Sequence, residues 1–477
     1  MIRRLLKESA IYGVGQLIYL GLPIIIIPIY SRLLEPHEFG VLELIVAAGT
    51  LVNFVVTLEI GQGMGRYYLD TTDPQIRVEY ASTALLFSLG AYGAFLALSM
   101  AFIPSISSLL LGSLDWEQSV QIGLVAVCAT GLFIGFQNQL RWQLTPWPFL
   151  AASITHAVAS TAVSVLLLTQ YNLGPSAVLY GQIAGATCGA AISAWHTRLC
   201  YRLVFCAERL RKMLLFSAPL VLSSISIFLL QFIDRFIIKE LVDMSAVGIY
   251  SVGFRLASTA NLLLLGLNAS LTPLIFEKYR EPGTPAAIAR IFRGFIAGTL
   301  PLLVVGSLFA KDLLALIAGP EYLAAWSVIP LLAFASVLAR MYIFAPGIDI
   351  LKKTHLVMVI NVGSAILNVV LCYALIPRFG ILGAALAAPI AAGTGFVAYM
   401  ALSQKFYPVP HDWSRILAAV AVGCLTIALG AYLESGDVRS RAFVATIKVT
   451  CVFVSTAAIL WLLRRESHSG NEHSRFT

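Results

Sequence analysis

Apolar runs of about twenty residues, separated by short clusters of charge, recur along the whole chain. Each run can cross a hydrocarbon core about 30 Å thick when wound as a helix rising about 1.5 Å per residue. Residues that are 59% hydrophobic and 12% charged carry more apolar surface than a water-soluble globule of 477 residues can bury. The expected class is an all-α, multi-pass membrane protein with no room for a sizeable soluble domain. Six runs fill the first half, near 10–30, 41–60, 81–103, 118–137, 149–169 and 175–195. Six more lie near 213–233, 246–270, 288–309, 322–344, 355–376 and 381–402, and a further pair near 412–433 and 442–463. The expectation is therefore about 14 transmembrane helices.

The basic residues test that count, because short cytoplasmic loops collect the excess Lys and Arg. Alternate loops carry about 23 against about 8 on the opposite side. This bias predicts that both termini are cytoplasmic, and it accounts for the net charge of +8 without a nucleic-acid partner. Arg3, Arg4 and Lys7 before an apolar stretch resemble a signal peptide, but no small-x-small cleavage pattern follows, so this run is expected to stay as the first helix. The seven cysteines stand singly, without metal-ligand spacing, and His156 is alone in its run. No Gly-x-x-x-x-Gly-Lys loop is present to hold ATP. Neither a metal, a cofactor nor a catalytic residue is expected.

The two halves can be laid over each other. Arg32 with Gly40 matches Arg235 with Gly248, Asn53 matches Asn261, and Asn172-Leu173-Gly174 matches Arg378-Phe379-Gly380, at offsets of about 203 to 208 residues. Six helices return the chain to its starting side, so the halves share one orientation. The expected architecture is two parallel six-helix lobes related by a pseudo-two-fold along the membrane normal, plus two C-terminal helices. The boundaries are 1–200 for the N-lobe, 201–405 for the C-lobe, 406–465 for the added pair and 466–477 for a cytoplasmic tail.

The segment Tyr30-Ser31-Arg32-Leu33-Leu34-Glu35-Pro36-His37-Glu38-Phe39-Gly40 is similar to the first-loop signature of the polysaccharide-biosynthesis, Wzx-like oligosaccharide flippases. These form one branch of the multidrug/oligosaccharidyl-lipid/polysaccharide exporter superfamily. Asp234-Arg235, Gly248-Ile249-Tyr250-Ser251, Asn368 and Ile376 to Ala385 extend the resemblance over essentially the whole chain. It implies a bacterial inner-membrane transporter, not an enzyme. Its substrate would be an undecaprenyl-diphosphate-linked glycan, flipped by alternating access for O-antigen, capsule or exopolysaccharide synthesis. The implied partners are that lipid-linked oligosaccharide, membrane lipid, and a polymerase or other assembly protein.

Arg255 stands in the eighth run, where an arginine costs roughly 2.5–3.5 kcal/mol to insert and should face a cavity or a partner. It could meet the anionic diphosphate, form a structural ion pair, or snorkel toward the interface. Repeat matching sets Arg255 opposite Ala47, one turn from Glu43, so Glu43 and Arg255 are expected to approach each other. Asn53 and Asn261 are candidates for sugar hydroxyls, with interhelical hydrogen bonding as the bland alternative. Gln16, Gln231, Asn268, Asn361 and Asn368 have the same two readings. Arg66 and Arg293 are placed at the cytoplasmic entrance, where topology alone also explains them. Arg32, Asp234 and Arg235 are placed at a periplasmic gate, or as a helix-end anchor or local salt bridge. Glu59 could carry a coupling proton, or pair with Arg66. The alternative function is a multidrug or small-cation exporter of the same superfamily, which favours acidic sites.

Overall fold

The computed structural model describes residues 26–262, 264, 271, 274–351, 353–435 and 441–464. Within them the chain is almost wholly helical. After a helix over 26–33 come α1 (Pro36–Val56), α2 (Ile60–Asp70), α3 (Pro74–Ala101), α4 (Ile103–Leu111), α5 (Glu117–Trp142), α6 (Pro146–Tyr171) and α7 (Pro175–Thr197). Then follow α8 (Ala207–Leu241), α9 (Met244–Ala257), α10 (Thr284–Leu308), α11 (Ala310–Ile317), α12 (Ile329–Leu338) and α13 (Gly347–Ile350). The last four are α14 (Thr354–Phe379), α15 (Ile381–Phe406), α16 (Trp413–Ser435) and α17 (Arg441–Arg464). Proline opens many of them because its missing N–H is one of the unpaired donors of the first turn. Pro36, Pro74, Pro146 and Pro175 stand there, and Glu35 with Glu38 closes a capping box on α1.

Among the described residues, 11 helices are long and apolar enough to span a membrane, or up to 12 if one bent pair counts as a single span. The expected spans near 10–30 and 246–270 run into residues outside the description, as do Gln16, Asn268, the Arg3–Lys7 cluster and the tail.

Two departures from the expected spans bear on the site. The run ending near 233 continues as helix to Leu241, so Asp234 and Arg235 lie inside α8 and not in a loop. The run ending near 60 breaks earlier, after Val56, and restarts at Ile60 through Leu58 and Glu59 in left-handed backbone (φ 50 and 53). No glycine eases that break. Ser217 on α8 supports it by donating its hydroxyl to the Leu58 carbonyl at 2.7 Å.

The chain gathers into two compact units. Among the described residues, the first holds those within Met1–Arg255, Ile317–Ala324 and Asn361–Ala391; the second holds those within Leu256–Leu316, Ala325–Ile360 and Ala392–Thr477. In the first, α2 packs on α8 closely enough that a Cβ on Gly63 would come within 2.6 Å of the Met213 carbonyl. Ile60, Met64, Tyr68, Tyr80 and Met213 form a buried core there. In the second, α10 packs against the added helices α16 and α17, with Leu300 and Leu308 filling the space above Gly423 and Gly430.

The internal duplication leaves a direct mark on the first unit. An offset of 208 residues maps Pro36 onto Met244 and Gly40 onto Gly248. A Cβ on Gly40 would lie 2.1 Å from the Met244 carbonyl oxygen, and one on Gly248 would lie 1.9 Å from that of Pro36. Residue i of one copy thus meets residue j of the other and the reverse, as in a two-fold contact. The helix-joining glycines Gly174 and Gly380 match as well, with φ of +53 and +57 that a side chain would strain.

Candidate functional site: a buried ionic cluster

The first turns of α1 and α9 cross at Gly40 and Gly248, and the residues one to two turns further along face the same packed region. In α1 this position is Glu43; the 208-residue match gives Ser251 in α9, while Arg255 matches Ala47. The backbone contact is symmetric, but the charges are divided: the first copy supplies the acid and the second the base.

Arg255 Nη2 donates to Glu43 Oε1. The other carboxylate oxygen faces Arg235 Nε at 3.6 Å. Arg235 in turn contacts Asp234 Oδ1 through Nη1 at 3.2 Å and donates to the Gln231 carbonyl at 2.7 Å. Asp234 Oδ1 also accepts from the Arg235 backbone N–H at 2.9 Å, and Oδ2 accepts from the Tyr250 hydroxyl. Three rings hold the Arg235 guanidinium: Phe254 at 4.4 Å, Phe232 at 5.1 Å and Tyr250 at 5.9 Å. Two acids and two bases therefore balance inside an apolar surrounding, which is how charge persists at membrane depth. Side-chain exposure is 1% for Arg235, 5% for Glu43 and 6% for Asp234, against 22% for Arg255. Arg255, lying over the Phe39 ring at 5.3 Å, is the member that opens outward.

The structure thus brings Glu43 and Arg255 together and adds Asp234 and Arg235, which the sequence had put at an outer corner with Arg32. Arg32 is exposed. Burial of Asp234 and Arg235 suits the task of holding Glu43 better than that of a solvent-facing gate. Tyr250, the hydrogen-bond donor to Asp234, was not singled out beforehand; its place in the Gly248-Ile249-Tyr250-Ser251 segment was the available signal.

A second polar place in the same unit lies at the helix break. Asn53, Thr57, Glu59, Ser88, Tyr92 and Asn138 line a 170 Å³ cavity. Asn53 Oδ1 accepts from the Tyr92 hydroxyl at 2.7 Å, and Glu59 Oε1 accepts from the Ser224 hydroxyl at 2.6 Å. Arg66 contacts Asp70 at 2.9 Å on an exposed face, so the pairing weighed for Glu59 and Arg66 is replaced by these two contacts. In the second unit, Asn261 ends a short 3-10 turn with its buried Oδ1 lacking a hydrogen-bond partner, and Arg293 is half-buried on α10. His156 stacks on Phe133 at 4.6 Å, a packing role. An apolar cavity of 510 Å³ in the second unit, walled by Phe292, Leu300, Phe334, Phe396, Met400 and Trp413, suits hydrocarbon and not a charged headgroup.

By its similarity to known proteins, this helical, multi-pass chain is a membrane transporter of the flippase and exporter type. Residues 5–278 match the family described as polysaccharide biosynthesis protein, and 219–374 match MatE. The chain belongs to the polysaccharide biosynthesis protein family. It is 22% identical over 376 residues, 75% of this chain and 87% of the other, to a Shigella flexneri protein whose name assigns it provisionally to O-antigen transport. It is 21% identical over 418 residues, 86% of each chain, to the Haloferax volcanii protein named "Probable low-salt glycan biosynthesis flippase Agl15". A solved structure of the lipid II flippase MurJ in an inward closed conformation shares the fold, with a TM-score of 0.69 at 13% identity over 96% of this chain and 100% of that one.

Proposed function

We propose that the protein flips an undecaprenyl-diphosphate-linked glycan across the bacterial cytoplasmic membrane for surface polysaccharide synthesis, by alternating access of two lobes bounded near residue 200. The observation that carries this reading is Arg255, an arginine at membrane depth that is partly open and already seated on a carboxylate. A guanidinium that accepts one planar anion can accept a phosphate in its place. In this reading Arg255 takes the diphosphate, and Asn53 and Asn261 offer amides to sugar hydroxyls. Arg66 and Arg293 draw the headgroup in from the cytoplasmic side. Arg32 closes the outer end, with Asp234 and Arg235 holding Glu43 from behind, and Glu59 is a candidate for a coupling proton. Both termini are cytoplasmic, and a polymerase or assembly protein receives the product.

The match to MatE supports a second reading, export of a small cation. Among the described residues, two arginines on two acids leave no negative charge over for a cation at the cluster, so the anionic substrate fits better. Purified protein in liposomes should move fluorescent undecaprenyl-diphosphate oligosaccharide between leaflets, and Arg255→Ala should slow the movement roughly ten- to hundredfold. Deletion of the gene should also accumulate cytoplasm-facing lipid-linked glycan; unchanged glycan pools in a strain with no second flippase would sink the proposal.

A further inference from the structure

The Glu43 carboxylate occupies the place on Arg255 that an anionic ligand needs: Oε1 accepts from Arg255 Nη2, while Oε2 stands 3.6 Å from Arg235 Nε, an ion-pair approach without a hydrogen bond. We propose that Glu43 is a stand-in for the headgroup: a diphosphate arriving at Arg255 displaces it, and the remaining Glu43, Asp234 and Arg235 then take up one proton from the surrounding water. This rests on the reading above that Arg255 receives the diphosphate.

The argument is a count of charge in a fixed frame. With Arg255 engaged elsewhere, two carboxylates share one guanidinium. Arg235 pairs with Asp234 at 3.2 Å and only approaches Glu43 at 3.6 Å, and it is held in that position. Its Nη1 is tied to the Gln231 carbonyl at 2.7 Å, and the Phe232, Phe254 and Tyr250 rings enclose its head. A buried carboxylate left without compensation is expensive, and neutralisation by a proton is the cheapest relief. The proton belongs on Glu43. Asp234 keeps the Tyr250 hydroxyl, the Arg235 backbone N–H and Arg235 Nη1, whereas Glu43 keeps only the 3.6 Å approach of Arg235 Nε. Among the described residues, the other titratable groups facing the set are Tyr30 on the 26–33 helix, Tyr250 on α9 and Cys372 on α14. All three are uncharged in their ordinary forms at neutral pH, so none supplies the missing compensation. On release of the ligand the sequence reverses: Glu43 gives up the proton and reclaims Arg255.

Calorimetry of the full-length protein in nanodiscs, titrated with undecaprenyl diphosphate in two buffers of different ionisation heat, counts the protons. Wild type should take up close to one proton more than Glu43→Gln. Its Kd should weaken by about tenfold per pH unit relative to that variant, since each linked proton sets one such factor. Equal proton counts in wild type and Glu43→Gln, or a count removed by Glu59→Gln instead, would overturn the inference while leaving the substrate reading standing. Binding indifferent to Arg255→Ala would remove that reading itself, and the inference with it. Should Glu43→Gln fail to fold, infrared difference spectra of wild type decide. A protonated-carboxyl band that appears with undecaprenyl diphosphate supports the inference, and its absence overturns it.

Discussion

The two units each contain a cluster of two acids and two bases, and the clusters are built to opposite ends. In the first unit Glu43, Asp234, Arg235 and Arg255 are assembled from α1, α8 and α9, and the most open member is an arginine. In the second, Lys448 on α17 contacts Asp312 on α11 at 2.7 Å and also Glu434 on α16, while Lys311 contacts Glu434 at 2.9 Å. There the buried member is the lysine, 3% exposed, and its partner Asp312 is 60% exposed. One cluster hides its acids and offers a cation that suits an anionic ligand. The other hides its central cation and leaves both an acid, Asp312 at 60%, and a base, Lys311 at 41%, exposed while tying α16 and α17 to α11. Equal composition therefore does not mean equal role; in the first cluster a cation alone is left open, in the second both signs are.

Arg235→Ala should break this comparison most strongly. It leaves Asp234, at 6% exposure, without a cation and Glu43, at 5%, with Arg255 alone, and removing one partner of a buried ionic set costs about 3–5 kcal/mol. Thermal unfolding in detergent should show a large loss, accompanied by poor recovery from membranes. Arg255→Ala should do the reverse. Flipping should fall roughly ten- to hundredfold, the worth of a charge-assisted contact, with a smaller loss of stability because the side chain is already part-exposed. The exchanged pair Glu43→Arg with Arg255→Glu should recover stability without recovering flipping. If flipping returns as well, the arginine's position is immaterial and the cluster is structural, like that of the second unit.

How much of this was legible depended on how charge sits within apolar runs. Glu43 and Arg255 could be paired from sequence because each interrupts a long apolar helix and the repeat offset puts them one turn apart on matched faces. Asp234 and Arg235 were placed outside the helix because hydropathy falls at adjacent charges. In the structure they compensate each other and Glu43, so the helix continues through them to Leu241. The break at Leu58 and Glu59 carries no glycine or proline, and Ser217 and Ser224, far off in sequence, supply its support. Lys448 was overlooked because a lone lysine near the start of a span reads as an interfacial anchor until its two carboxylate partners are seen.

The reciprocal glycine contact gives a fourth test. Gly40→Ala and Gly248→Ala each push a methyl group into a backbone carbonyl, so each should cost about 1–3 kcal/mol, and the two costs should be nearly equal. Unequal losses would mean that the duplication is less faithful at this crossing than the 208-residue match implies. Lys448→Met is the counterpart in the second unit. Glu434 keeps Lys311 and Asp312 keeps water, so the loss should be only about 1–2 kcal/mol, with flipping per folded molecule unchanged.

The smallest effect expected is a pH dependence confined to the second unit, at the connection between α15 and α16. His411 there is surrounded by Phe292 at 4.9 Å and Trp413 at 5.3 Å, and its Nε2 lies 3.1 Å from the Phe344 carbonyl, to which it must donate. Burial pushes its pKa below the ordinary histidine value, against a weaker upward pull from that hydrogen bond. The folded protein therefore holds fewer protons than the unfolded chain, so this contribution to stability is complete above the ordinary histidine pKa, about 6.5, and is lost as pH falls below it. The thermal midpoint of wild type should drop more between pH 7.5 and 5.5 than that of His411→Gln, by a margin smaller than any loss above. An equal drop in both would place the acid sensitivity elsewhere, and the Glu43 cluster of the first unit would be the next group to examine by the same comparison with Glu43→Gln.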